Sequence, residues 1–261
     1  MVTGLERFRQ HFAGFERAYV LIGGAACDQW FSLAGGGFRA TRDLDIVLIL
    51  KAVDSLFFPR FKEFLRIGGY QTGQRAEDGK KTFYRFLKPT SPDYPQMIEL
   101  FSAIPVEENL LTDQRIIPIP AGEDQSSLSA ILMDQEYFEF IMEQREIANG
   151  LSLIKPAGLI PLKARAWQDL SVRRRNGDTS VDERDINKHR NDIFRLATLL
   201  PTAVSIAIHP TIANDLHQFL QAILASQSEQ SAIGQSLKTS GTRIPILDLL
   251  ATLSTFYEIT P

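Results

Sequence analysis

The apolar residues of this chain recur in two rhythms. Up to about residue 120 they come in short, partly β-branched runs separated by turn residues: AYVLI (18–22), LDIVLILK (44–51), KTFYRFLK (81–88), QMIELFSAI (96–104) and RIIPIP (115–120). Runs of this length and composition predict strands. Between them, DSLFFPRFKEFLRI, from Asp54, repeats its apolar residues at helical spacing and meets Gly68-Gly69, a stop signal.

After about residue 125 the helical period prevails. It runs through SAILMDQEYFEFIMEQREIANG, AGLIPLKARAWQDLSVRRR, VDERDINKHRNDIFRLATLL, TIANDLHQFLQAILA and IPILDLLATLSTFY, while GLSLIKP allows one late strand. The polar, low-complexity stretch ASQSEQSAIGQSLKTSGT (225–242) predicts a flexible loop. The expectation is an α+β (α/β) protein. A small mixed β-sheet domain with helices occupies residues 1–125, and a mainly helical C-terminal domain occupies 126–261.

Composition narrows the classes of function. At 261 residues, 44% of them hydrophobic, the chain can bury a substantial core. The first twenty residues interrupt their apolar positions with Glu6, Arg7, Arg9, Glu16 and Arg17, and no later run approaches the length of a membrane span. A cytoplasmic location without membrane partners is therefore expected. One cysteine excludes an intrachain disulfide, and the four histidines lack the spacing of a zinc site. A net charge of −3 argues against a broadly basic nucleic-acid coat, so any such contact is local.

Against that background, the acids that break the strand pattern are the informative positions. Asp43 and Asp45 open an otherwise apolar run. Side chains alternate along a strand, so both carboxylates share a face, with Cα atoms roughly 6–7 Å apart. At about 6 Å and an effective dielectric near 20, two such charges repel by on the order of 3 kcal/mol. A bound divalent cation reverses that sign, and Mg²⁺ favours one or two carboxylates together with waters and substrate phosphates. Glu99 interrupts a second apolar strand in QMIELFS, and if the two strands are neighbours, all three acids face one site. In YVLIGGAACDQWF, a strand ends in Gly23-Gly24 before helix-permissive residues, which places backbone N–H groups where phosphate binds readily. Taken singly, Asp-x-Asp also suits a turn or a solvated edge, a strand glutamate also pairs with Arg or Lys, and Gly-Gly also makes a tight turn.

Together these residues resemble the nucleotidyltransferase superfamily of DNA polymerase β-type fold. A hydrophobic strand ending in Gly-Gly, Asp-x-Asp on the next strand and a later strand carboxylate carry that resemblance. FRATRDLDI further resembles the AbiEii/AbiGii toxin-like branch, in which Arg-x-Thr precedes the aspartates; Arg39 and Thr41 occupy those places. AGLIPLKARAW, with Lys163, and KHRNDIFRL, with Asp192, resemble the branch's downstream motifs. The interval from Gly24 to Asp43 is longer than the minimal pattern, and Asn191 stands where the toxin-like members usually carry lysine.

The resemblance implies a nucleotidyltransferase core that moves a nucleoside monophosphate from a nucleoside triphosphate to an acceptor hydroxyl. Asp43, Asp45 and Glu99 would ligate Mg²⁺ or Mn²⁺. Gly23, Gly24, Arg39 and Thr41 would contact the nucleotide, Lys163 would clamp the triphosphate, and Asp192 would complete the catalytic set. It also implies an RNA acceptor, tRNA included, and a cognate antitoxin as partner. From Pro161 to Arg195 nine Lys/Arg stand against six Asp/Glu, with Arg173, Arg174 and Arg175 consecutive, which would place cations near such an acceptor. A small-molecule nucleotidyltransferase of the antibiotic-modifying kind and a non-catalytic nucleotide-binding protein remain open at this level. For Lys163 the alternative is an alkyl chain lying along its helix towards Trp167, and for Asp192 an exposed pair with Lys188.

Overall fold

The computed structural model of the chain describes residues 2–53, 56–72, 84–103, 116–119 and 128–260. It divides into two compact units, Met1–Lys155 and Pro156–Pro261. The sequence placed the change at residue 125, and the difference has a plain cause. Residues 128–154 contribute three strands to the first unit rather than beginning the helical one.

The first unit opens with α1 (Leu5–His11), β1 (Tyr19–Ile22), α2 (Gly23–Leu33) and β2 (Asp43–Leu48), followed by a single 3₁₀ turn. It continues with α3 (Phe57–Gly68), β3 (Gln71–Thr72), β4 (Arg85–Leu87), β5 (Met97–Ser102), β6 (Ile116–Ile119) and β7 (Leu128–Leu132). It closes with α4 (Gln135–Glu143), β8 (Arg145–Ala148) and β9 (Leu151–Ile154). The strands form one mixed sheet in the order β3-β4-β5-β2-β1-β9-β8, with β7 beside β5 and β6 beside β7. β2 runs antiparallel to β1 and parallel to β5. The expected mixed α/β sheet is thus observed. Residues 54–55, 81–83, 104, 115 and 120 of the anticipated elements lie outside the described residues.

Alternation along the strands gives the sheet two unlike faces. Leu44, Ile46, Phe86, Ile98 and Leu100 are buried on one side. On that side Tyr19 meets Phe8 of α1, with ring centroids 5.2 Å apart, and Phe86 meets Phe61 of α3 at 5.7 Å. Phe12 and Phe64 join the same aromatic cluster. Phe57, Phe61 and Phe64 fall on one stripe of α3 because they recur at helical spacing. The helix stops at Gly69, whose left-handed φ of +65° lets the N–H groups of Gly69 and Tyr70 cap Arg66 and Leu65, as the glycine pair predicted.

Two expectations are corrected here. SAIL and REIA, predicted to be helical, are strands β7 and β8, and β8 turns into β9 through Asn149-Gly150. Both turn residues have positive φ, 50° and 69°, as a tight two-residue hairpin requires, and Asn-Gly is its strongest local signal.

The second unit consists of α5 (Pro156–Arg175), α6 (Glu183–Ala197), α7 (Pro210–Leu224), α8 (Gln227–Thr239) and α9 (Ile246–Phe256). α8 lies inside the stretch expected to be a flexible loop. Its start is capped by Ser226, whose Oγ accepts from Glu229 N at 3.3 Å, and its sparse apolar residues Ile233 and Leu237 are four apart and buried. In α5, Pro161 has no N–H to donate to the carbonyl four residues earlier. That carbonyl belongs to Ala157, and the buried Tyr257 hydroxyl donates to it at 2.7 Å. Burial raises the Tyr257 pKa well above its ordinary value, which keeps the hydroxyl a donor.

Candidate functional site

The face of the sheet opposite the aromatic cluster carries the acids. Asp43 and Asp45 alternate with buried Leu44, and Glu99 lies between buried Ile98 and Leu100, so each carboxylate points to the partly exposed side. Register makes them neighbours. Asp45 pairs with Glu99 across β2 and β5, and Asp45 pairs with Ile22 across β1 and β2. Directly paired residues of adjacent strands lie about 5 Å apart at Cα, so the acids from two distant stretches of sequence share one patch.

Gly23 follows Ile22 at the start of α2, and its backbone has φ +65°. A Cβ there would meet the Asp45 carboxylate, with Cγ only 2.9 Å away. At Gly24 a Cβ would lie 2.7 Å from Thr41 Oγ1. The glycine pair therefore begins a helix rather than a separate turn, and its missing side chains are what let Asp45 and Thr41 approach that helix end. Arg39 lies in the segment leading into β2, its guanidinium 5.2 Å from the centroid of the Phe38 ring. Phe38 also lines a cleft of about 920 Å³ with Arg7, Asp28, Gln29, Ser32 and Asp93, which Asp43, Asp45 and Glu99 do not line.

Sequence reasoning missed Arg85. It pairs with Glu99 across β4 and β5, which puts Arg85, Glu99 and Asp45 in one row across three strands. Arg85 donates to Glu99 Oε1 through Nε at 2.6 Å and through Nη2 at 2.5 Å. Its guanidinium also lies 5.9 Å from the centroid of the Tyr84 ring. The signal was present in FYRFL: a charge interrupts this strand just as Glu99 interrupts QMIELFS.

Among the described residues no three His, Cys, Asp or Glu side chains are gathered closely enough to hold a metal as they stand. The donor chemistry nevertheless suits a hard cation, since Mg²⁺ requires one or two carboxylates and takes its other ligands from water and phosphate. Asp43 and Asp45 meet that requirement, and Glu99 brings a third carboxylate already bonded to Arg85 through one oxygen.

The remaining nominated residues belong to the second unit. Lys163 Nζ is 2.8 Å from Asp192 Oδ2, and both side chains are buried, 4% and 2% exposed. Asp192 is therefore not an exposed partner of Lys188, which instead donates to Asp185 at 3.1 Å. Nor does the Lys163 chain lie out along its helix. Of the three consecutive arginines, Arg173 bonds Asp178 at 2.7 Å, Arg174 donates to Val181 O at 2.8 Å, and Arg175 donates to Ser171 O at 3.3 Å. Bonds from Ser180 and then Arg173 hold the Asp178 pKa down at about 2. The charges of this stretch are largely satisfied at home.

No protein-family model and no characterised relative matches the chain in sequence. Among solved structures it is similar to an antigenic nucleotidyltransferase-like protein from Paracoccidioides brasiliensis, with 14% identity and a TM-score of 0.46 over 88% of this chain and 89% of that one. No helix of the described residues is long and apolar enough to cross a membrane.

Proposed function

We propose that this chain is a nucleotidyltransferase whose centre is the acid face of β2 and β5. One observation carries the reading. Asp45 stands in register with Glu99 on one side and with Ile22, the residue before the Gly23-Gly24 helix start, on the other. Carboxylates gathered on one face repel one another, and a divalent cation carrying a polyphosphate reverses that sign while the neighbouring helix N-terminus receives the phosphate.

In this reading Asp43 and Asp45 hold Mg²⁺ or Mn²⁺. When bound, the metal neutralises phosphate charge and makes an acceptor hydroxyl easier to deprotonate. The backbone at the start of α2 and Thr41 orient the nucleotide phosphates, and Arg39 adds a cation on the segment before β2. The acceptor oxygen forms a bond to the α-phosphorus as the bond from that phosphorus to the bridging oxygen breaks. Pyrophosphate leaves, and the hydroxyl proton passes to solvent. Little covalent chemistry falls to the protein, which positions and neutralises.

RNA is the acceptor class to test first, on the resemblance to the toxin-like branch. Incubation with each α-labelled triphosphate and total RNA, protein extract or a metabolite pool, with and without chelator, decides it. Label is expected at RNA 3′ ends only when divalent metal is present. Label confined to small molecules or to protein would reassign the acceptor, and no metal-dependent label in any fraction would end the nucleotidyltransferase reading.

A further inference from the structure

We infer that Arg85 is a positioning residue for Glu99, holding one carboxylate oxygen so that the other is presented to a divalent cation on the acid face. The inference rests on the nucleotidyltransferase reading and adds to it a residue that neither the motifs nor the resemblance supplies.

The geometry is one-sided. Both Nε and Nη2 of Arg85 converge on Oε1 of Glu99, and among the described residues Oε2 accepts no hydrogen bond. An arginine placed only to neutralise a glutamate would be expected to use its two parallel donors on both oxygens. The Glu99 side chain is 13% exposed, so its rotation is restricted without the group being closed off from solvent. Arg85 is itself held. It sits opposite Glu99 in the β4–β5 register with the Tyr84 ring close to its guanidinium, an arrangement that limits the fork to few orientations. Ligating carboxylates are commonly fixed by such an outer hydrogen bond.

A second consequence concerns charge. Asp43, Asp45 and Glu99 on one face repel one another before any cation arrives, and Arg85 offsets part of that repulsion. Electrostatics alone therefore opposes the positioning effect: removing a positive charge beside a cation site should tighten cation binding. The two roles have opposite signs in one measurement.

The test is Mn²⁺ binding to the full chain, by calorimetry and by loss of the free-ion paramagnetic signal, for wild type, Arg85→Gln, Arg85→Lys, Glu99→Gln and the Arg85→Gln/Glu99→Gln double variant, each confirmed folded by a thermal melt. Arg85→Gln is expected to weaken Mn²⁺ binding by about tenfold to a hundredfold, the usual effect of losing an outer-shell partner. Arg85→Lys, which keeps a donor for Oε1 and loses the fork, should recover part of the loss. In the Glu99→Gln background the Arg85 change should no longer weaken binding, leaving only the electrostatic effect, unchanged or tighter binding. Unchanged or tighter Mn²⁺ binding in Arg85→Gln, while wild type binds, would overturn this inference alone and make Arg85 a simple charge partner. No Mn²⁺ binding by any folded variant, wild type included, would overturn it together with the functional reading beneath it.

Discussion

The two units handle charge in opposite ways. On the sheet, Asp43, Asp45 and Glu99 crowd one partly exposed face, with Arg85 engaging one oxygen of one of them. In the helical unit, Lys163 and Asp192 are buried together at 2.8 Å, and Arg190, also buried, pairs with Glu229 of α8. The first arrangement gathers negative charge on a partly exposed face. The second pairs its buried charges with opposite ones at hydrogen-bonding distance. The two arrangements differ in burial, and burial decides how much the loss of one partner costs.

The sharpest way to break that comparison is to unbalance the buried pair. Lys163→Met or Asp192→Leu alone should destabilise the chain by about 3–5 kcal/mol, because each removes one member of a buried ion pair. The Lys163→Met/Asp192→Leu double variant should recover most of that loss in thermal melts. Arg165→Ala on the same helix removes an exposed pair with Asp215 and should shift stability by less than about 1 kcal/mol. Single variants that melt like wild type would show that the pair is not structural and return Lys163 to the role of phosphate clamp.

On the acid face the effect should fall on activity instead. Asp43→Asn or Asp45→Asn should lower nucleotidyl transfer by on the order of a hundredfold or more, the scale of removing one group that stabilises the reacting charge. Both variants should remain folded in thermal melts. Label transfer and melts run on the same samples check both halves, and wild-type turnover in either variant would remove that residue from the metal site.

Two smaller changes probe the backbone supporting each region. Tyr257→Phe leaves the Ala157 carbonyl without its 2.7 Å donor and should destabilise by about 1–3 kcal/mol. Gly23→Ala forces a side chain onto a backbone at φ +65° and against Asp45, costing about 1–2 kcal/mol from the left-handed conformation alone. It should also weaken Mn²⁺ binding although no charge has changed, which a loss of stability by itself would not do.

The smallest effect belongs to the exposed start of α6. The Arg184 side chain, and then the Arg184 N–H, lower the Asp182 pKa from 3.8 to about 2. A carboxylate whose pKa is depressed on folding contributes stability that is fully present above its unfolded value and is lost as the pH falls through the folded one. Acid melts between pH 3.8 and 2 should therefore show a shallower decline in Asp182→Asn than in wild type. Equal slopes would mean that this cap contributes nothing measurable.

Much of the sheet unit was legible because its elements announce themselves locally. Alternation identified β2 and β5, and Gly68-Gly69 ended α3 where expected. β7 and β8 were misread as helix because SAIL and REIA are too short to show a period of two against the helical run between them, although Asn149-Gly150 marked the hairpin. α8 was missed because its burial rests on Ile233 and Leu237 within a polar stretch, where the cap at Ser226 was the better signal.

The sequence by itself determined that Asp43, Asp45 and Glu99 each leave the apolar side of a strand, because alternation follows from the geometry of an extended backbone. It also determined that something unusual happens at Gly23-Gly24, because two glycines directly after a buried strand permit a close approach that other residues forbid. Only the tertiary structure decided that β2 and β5 are parallel neighbours in the register Asp45 to Glu99, and that Arg85 completes the row. It likewise decided that Lys163 turns inward to Asp192 rather than out along its helix. Strand order, register and the partner of a buried ion are set by contacts between residues far apart in the chain, and those follow from how the whole core packs rather than from any local pattern.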